Sequence, residues 1–172
     1  MAKYMGLGLV LVGCTAMGIA AGKDMERRVR DLRELIKLLQ LLEGEIGYAN
    51  AVLSEGFRHA ARRMRMPYGR FLEKMADHMD ELRGEGLKDI FEGCIREELN
   101  HTALTREDKE ALAGFGAQLG NLDVKMQLGA IALYREQLLQ AYGQAQEMWR
   151  KDAKLYRYLG VMGGLFLTVI FL

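Results

Sequence analysis

Polarity divides the chain into three parts. No Asp, Glu, Lys, Arg or His occurs from Tyr4 to Gly22, and none from Tyr158 to Leu172. As helix the first run would be roughly 29 Å long, about the thickness of a bilayer's hydrocarbon core, and the second roughly 22 Å. A helix that is apolar on every side needs lipid or a large core around it. The pattern therefore predicts an N-terminal transmembrane helix over residues 1–22 and a shorter C-terminal one over 158–172. Between them, residues 23–157 mix apolar and polar positions with a helical period. Leu32, Leu35, Ile36, Leu39, Leu42 and Ile46 recur at three- and four-residue spacing along a helix beginning near Asp24. Leu38 and Leu41 widen that stripe, and Gly47 with Tyr48 to Ala51 marks its end.

The rest of the middle reads as shorter helices. One is expected from about Ser54 to Met64, with Leu53, Phe57, Ala60 and Ala61 inward and Arg58, Arg62 and Arg63 outward. Met66-Pro67 is a break, because the residue before proline avoids the α region. Pro67 then opens a helix to about Arg83 with Phe71, Leu72, Met75 and Met79 on its apolar side. Gly84-Glu85-Gly86 is a turn, followed by a helix over about Leu87 to Leu99 carrying Ile90, Phe91, Cys94 and Ile95. Thr105 with Asp108 three residues on has the form of a capping box for a helix carrying Leu112, Phe115 and Leu119. The last helix is expected from near Asn121 to Arg157, with Val124, Leu128, Ile131, Tyr134, Leu138, Tyr142, Ala145, Trp149, Ala153 and Tyr156 along one side. No run alternates with period two, so no sheet is expected. The fold class is all-α: an antiparallel bundle of about six helices flanked by N- and C-terminal transmembrane helices.

Composition sharpens this picture in one respect. Mean hydropathy is −0.07, which averages over unlike parts. Of the 24 Lys and Arg only Lys3 lies outside the middle, and all 23 Asp and Glu lie inside it, so the middle is neutral and lacks the basic face that nucleic-acid binding needs. Lys23, Arg27, Arg28, Arg30 and Arg33 follow the first apolar run, and Arg150, Lys151, Lys154 and Arg157 precede the second. By the positive-inside rule the bundle faces the cytoplasm and both termini lie outside. A cleaved signal peptide fits less well, given the length of the run and the basic cluster directly after it. Leu11-Val12-Gly13-Cys14 has the form of a lipobox, but the apolar run continues past Cys14. The pairs Gly18/Gly22 and Gly160/Gly164 would let helix backbones approach closely in lipid, although glycine is common in membrane helices.

The sequence offers little chemistry. Cys14 and Cys94 make no zinc or redox spacing. Glu98-x-x-His101 is half of a di-iron motif that needs two copies, and His59 and His78 have no ligand-spaced partner. No Walker A loop or nucleophile elbow occurs. Met64, Met66, Met75 and Met79 read as gap-filling core. No enzyme activity, cofactor, metal or small-molecule substrate is expected. Glu43, Glu45 and Tyr48 stand out at the end of the first long helix, where acids oppose the helix dipole. Asp123 and Gln127 stand one turn apart at the start of the last helix. These five are candidate partner-binding residues, against the simpler reading of solvated helix ends.

These segments carry a family resemblance. Arg30-Asp-Leu-Arg33 through Leu41-Leu-Glu-Gly-Glu-Ile-Gly-Tyr48, then Leu119-Gly-Asn-Leu-Asp-Val-Lys-Met-Gln127, then Trp149 with Tyr158-Leu-Gly-Val-Met-Gly-Gly164, resemble the stage III sporulation protein AB family of endospore-forming bacteria. Where this chain has Val52-Leu53, family members often carry Pro-Leu. The resemblance implies a platform component of a sporulation-specific, secretion-like channel between mother cell and forespore. Such a component would be similar to the inner-membrane platform proteins of type II secretion and type IV pilus machines. It also implies a location in the cell membrane on the mother-cell side, and partners that are a secretion-type ATPase, other membrane subunits and lipid. The alternative from the residues alone is a membrane-tethered helical scaffold or sensor unrelated to secretion.

Overall fold

Helical periodicity in the sequence becomes, among the described residues, six α-helices and no strand. They are α1 (Ala2–Gly47), α2 (Leu53–Ala61), α3 (Tyr68–Asp80), α4 (Leu87–Glu98), α5 (Arg106–Leu119) and α6 (Val124–Phe171). The computed structural model describes the backbone of residues 2–47, 52–81, 86–120 and 123–171, and the side chains of residues 23–47, 52–81, 86–120 and 123–151. Among the described residues no helix is long and apolar enough to cross a membrane. The two expected anchors, 1–22 and 158–172, fall on stretches whose side chains lie outside the described residues; α1 and α6 carry helical backbone through them.

Each helix packs against the next in sequence, and the ring closes because α6 returns to lie along α1. Directions alternate. The α1–α2, α3–α4 and α5–α6 junctions therefore gather at one end of the bundle, here called the tip. The α2–α3 and α4–α5 junctions gather at the other end, the root, where α1 arrives and α6 leaves. The α1–α6 pairing is what the two long stripes were expected to do. Leu32, Leu35, Leu39, Leu42 and Ile46 on α1 are buried, as are Ile131, Tyr134, Leu138 and Ala145 on α6. Arg33 adds a polar link, donating to the Tyr142 hydroxyl at 2.7 Å with its guanidinium 5.6 Å from the ring centre.

The four short helices close over an aromatic cluster. Phe91 is its hub, edge-on to Phe57, Phe71 and Phe115 at centroid distances of 6.0, 5.9 and 6.3 Å. Phe115 in turn stacks on Tyr134 at 4.7 Å, joining the cluster to α6. Gly116 makes the α4–α5 contact possible: a Cβ there would sit 2.1 Å from Phe91 Cγ. Such burial supplies most of the stability of short helices that would be marginal alone.

Three details differ from expectation. The third helix begins at Tyr68, with Pro67 at its N-cap and the Met66–Pro67 peptide cis. The last begins at Val124 rather than Asn121. Val124 and Met66, expected inside, are 46% and 74% exposed. Each sits at or beyond the end of a helix, where the ridge that would carry it into the core has run out of partner.

Candidate functional site

The tip is where four of the five sequence candidates arrive. Glu43 and Glu45 lie in the last turns of α1, and Asp123 and Gln127 flank the start of α6, which packs antiparallel to it. A Cβ on Gly47 would lie 3.5 Å from Leu128, which fixes the register of the two ends. Tyr48 lies outside the described residues. Although close in sequence, Glu43 and Glu45 do not act together, since positions two apart on a helix point about 200° apart. Glu43 turns to α6 and pairs with the Arg135 guanidinium. Glu45 turns to α2, with its Oε2 2.9 Å from His59 Nδ1.

Asp123 and Gln127 finish helix ends. Asp123 Oδ1 accepts from the Met126 N–H at 2.8 Å, satisfying one of the free donors of α6's first turn. Gln127 Nε2 donates to the Leu119 carbonyl at 3.3 Å, satisfying a free acceptor at the end of α5. On the α2–α3 side, Arg58 bridges Asp77 and Asp80 at 2.9 and 3.0 Å. The Ser54 hydroxyl and that guanidinium together hold the Asp80 carboxyl below its usual range.

Periodicity did not anticipate the apolar surface between these polar ties. Val52 is 68% exposed, Met126 58% and Val124 46%. A large side chain left in water on the rim of a helix bundle is a candidate contact. The signal available in the sequence was that these residues lie next to caps, where no following turn covers them.

The root is built differently. Arg28 donates from Nε and Nη2 to the two carboxylate oxygens of Asp108 at 2.9 and 3.1 Å, tying α1 to α5. Asp108 also closes the expected capping box. Its N–H reaches the Thr105 hydroxyl at 3.2 Å, and its Oδ2 accepts from the Thr105 N–H at 2.9 Å. Burial alone would push the Asp108 carboxyl up; Arg28 and Thr105 outweigh it and hold the group below the ordinary aspartate value. Asp31 accepts from the Ala103 N–H at 2.8 Å, pinning the α4–α5 turn to α1. Burial, with Asp31 nearby, pushes the Tyr68 hydroxyl far above its usual value.

The half di-iron spacing resolves into an ion-pair network. Glu98 lies 2.6 Å from Lys74 Nζ and 3.6 Å from Arg70, while His101 is exposed in the turn after α4. Among the described residues no group of three His, Cys, Asp or Glu side chains is placed to hold a metal ion. Burial pushes the Cys94 thiol up to about 11, opposite to the shift that makes a cysteine nucleophilic.

With this geometry in hand, the family model described as Stage III sporulation protein AB matches residues 3–172. The chain belongs to that family. Stage III sporulation protein AB of Bacillus subtilis (strain 168) is 26% identical over 170 residues, covering 99% of each chain. A solved structure titled stage III sporulation protein AB superposes with a TM-score of 0.64 at 25% identity, covering 72% of this chain and 97% of that one. The kinship gives the protein a role connected with sporulation. Residues 3–172 take in both uncharged terminal stretches, so these belong to the family pattern as much as the bundle does.

Proposed function

We propose that the protein is a non-enzymatic membrane platform of a secretion-like channel between mother cell and forespore. In this reading lipid holds residues 1–22 and 158–172, the bundle faces the mother-cell cytoplasm, and the tip docks a secretion-type ATPase. One observation carries the reading: α1 and α6 leave the bundle at the same end and run as unbroken helices into the two uncharged stretches. Two apolar helices emerging side by side, with basic residues between them and the bundle, match the expected form of a cytoplasmic domain clamped to a membrane. The clamp turns the tip away from the bilayer. There Val52, Val124 and Met126 are exposed beside Glu43, Glu45, Asp123 and Gln127, and Tyr48 follows α1 in sequence. Exposed apolar side chains set among polar ones mark a candidate docking surface.

The test is pull-down of the ATPase by the full-length, detergent-solubilised protein. Alanine at Glu43, Glu45, Asp123 and Gln127 would disturb caps and ion pairs as well as any contact. The decisive variant is therefore Val52→Asp with Met126→Asp, both at exposed positions. Binding lost with an unchanged melting temperature supports tip docking; normal binding rejects it. Labelling engineered cysteines at Lys3, Glu55 and Leu172 from outside intact cells tests the topology. Modification of Glu55→Cys in unbroken cells would refute a cytoplasmic bundle.

A further inference from the structure

From the arrangement of charge at the root we infer that the α2–α3 turn is a second membrane contact: Arg62, Arg63 and Arg65 rest on anionic lipid headgroups. The inference builds on the membrane reading above. Between Glu55 and Glu73 the sequence holds Arg58, Arg62, Arg63, Arg65 and Arg70 and no acid. Two of these are engaged, Arg58 with Asp77 and Asp80, and Arg70 near Glu98. Arg62, Arg63 and Arg65 are exposed and make no ion pair among the described residues. Lys37 adds a fourth cation, its Nζ held 2.8 Å from the Arg63 carbonyl. Met66, next to them, is the most exposed large apolar side chain described, at 74%. Unneutralised arginines around an exposed apolar residue are what an anionic bilayer surface attracts.

Position selects the bilayer over an acidic protein. The turn lies at the root, alongside α1 between Asp31, whose charge acts on Tyr68, and Lys37, which contacts Arg63. Along α1 these levels are roughly 14 and 22 Å from Gly22, where the uncharged stretch ends. Headgroups add about 5–7 Å beyond the hydrocarbon core. Extended arginine side chains therefore come within about one Debye length, roughly 8 Å, of the lipid charges. The contact would stop the bundle swinging on its two helices and keep the tip facing away from the bilayer.

The full-length protein carrying Met66→Cys, with Cys14→Ala and Cys94→Ala, is labelled with a polarity-sensitive dye. It is then placed in nanodiscs of phosphatidylcholine alone or with phosphatidylglycerol. Iodide quenching of the dye is expected to fall roughly threefold in the anionic discs. The difference should vanish at high salt and in Arg62→Gln/Arg63→Gln/Arg65→Gln, whose circular dichroism melt should match the parent. Equal quenching in the two lipids, with the protein still co-eluting with the discs, overturns the inference and leaves an acidic protein as the partner of these arginines. Failure to co-elute with either disc would instead overturn the membrane reading on which it rests.

Discussion

The root and the tip of the bundle solve the same problem, how to finish several helix ends, in opposite ways. At the root the finishing groups are buried or half-buried and reach across the fold. Asp108 is 7% exposed and serves both the Thr105 cap and Arg28 of α1, and Asp31 holds the α4–α5 turn by the Ala103 N–H. At the tip burial is looser and more uneven: Asp123, exposed, caps α6, while Gln127 and Glu45, both partly buried, close α5 and meet His59. A buried carboxylate tolerates no loss of its partner, whereas an exposed one is re-solvated by water. The caps of the root are therefore specified by its own chain, while the tip keeps a more open cap at Asp123 and the bare side chains of Val52, Val124 and Met126, which another protein can still cover.

The sharpest way to break this contrast is Asp108→Ala. It removes the cap of α5 and leaves the Arg28 guanidinium without its carboxylate. Arg28 is 23% exposed, so water recovers part of its solvation. The expected loss is then about 3 kcal/mol rather than more, read from chemical or thermal unfolding of the full chain in detergent. A loss under about 1 kcal/mol would put root and tip on equal terms. Acid should expose the same dependence. Because Asp108 is held below its ordinary value, its contribution is complete above about pH 3.9 and disappears as the pH falls through the folded-state value. Asp108→Asn should therefore be less stable than the parent near neutrality and lose less on acidification below about pH 4. Parallel stability curves for the two proteins would show that the pair contributes nothing there.

The contrast also explains what could be read in advance. Periodicity places Phe57, Phe71, Phe91, Leu112, Phe115, Leu119, Ile131 and Leu138 inside, and all are buried. A stripe at three- and four-residue spacing has one face, and that face must be covered. The Thr105–Asp108 capping box was equally legible, because a cap is local. The Arg28–Asp108 pair was not, since its partners are 80 residues apart and nothing near either one signals the other. At the tip, helix ends pointed to Glu43, Glu45, Asp123 and Gln127, but periodicity has nothing to say about what lies past the final turn. It assigned Val124 to the core for that reason, whereas Met66, in the α2–α3 turn at the root, was read as gap-filling core from its residue type rather than from a stripe.

The smallest effects should lie at the tip. Asp123→Ala removes one side-chain acceptor from the first turn of α6 while leaving the long α1–α6 contact intact. A cap deletion costs typically about 1 kcal/mol, and at this exposed position the Met126 N–H can turn to water, so the value should not exceed that. Glu45→Gln should cost less still, within about 0.5 kcal/mol, because glutamine keeps a hydrogen-bonding oxygen within reach of His59, whose own side chain is half exposed. Measured together, the two changes should add, since they act on different helices and share no partner. A loss well beyond their sum would mean that the tip is a coupled network like the root. In that case exposed caps would no longer mark a surface left open for another protein.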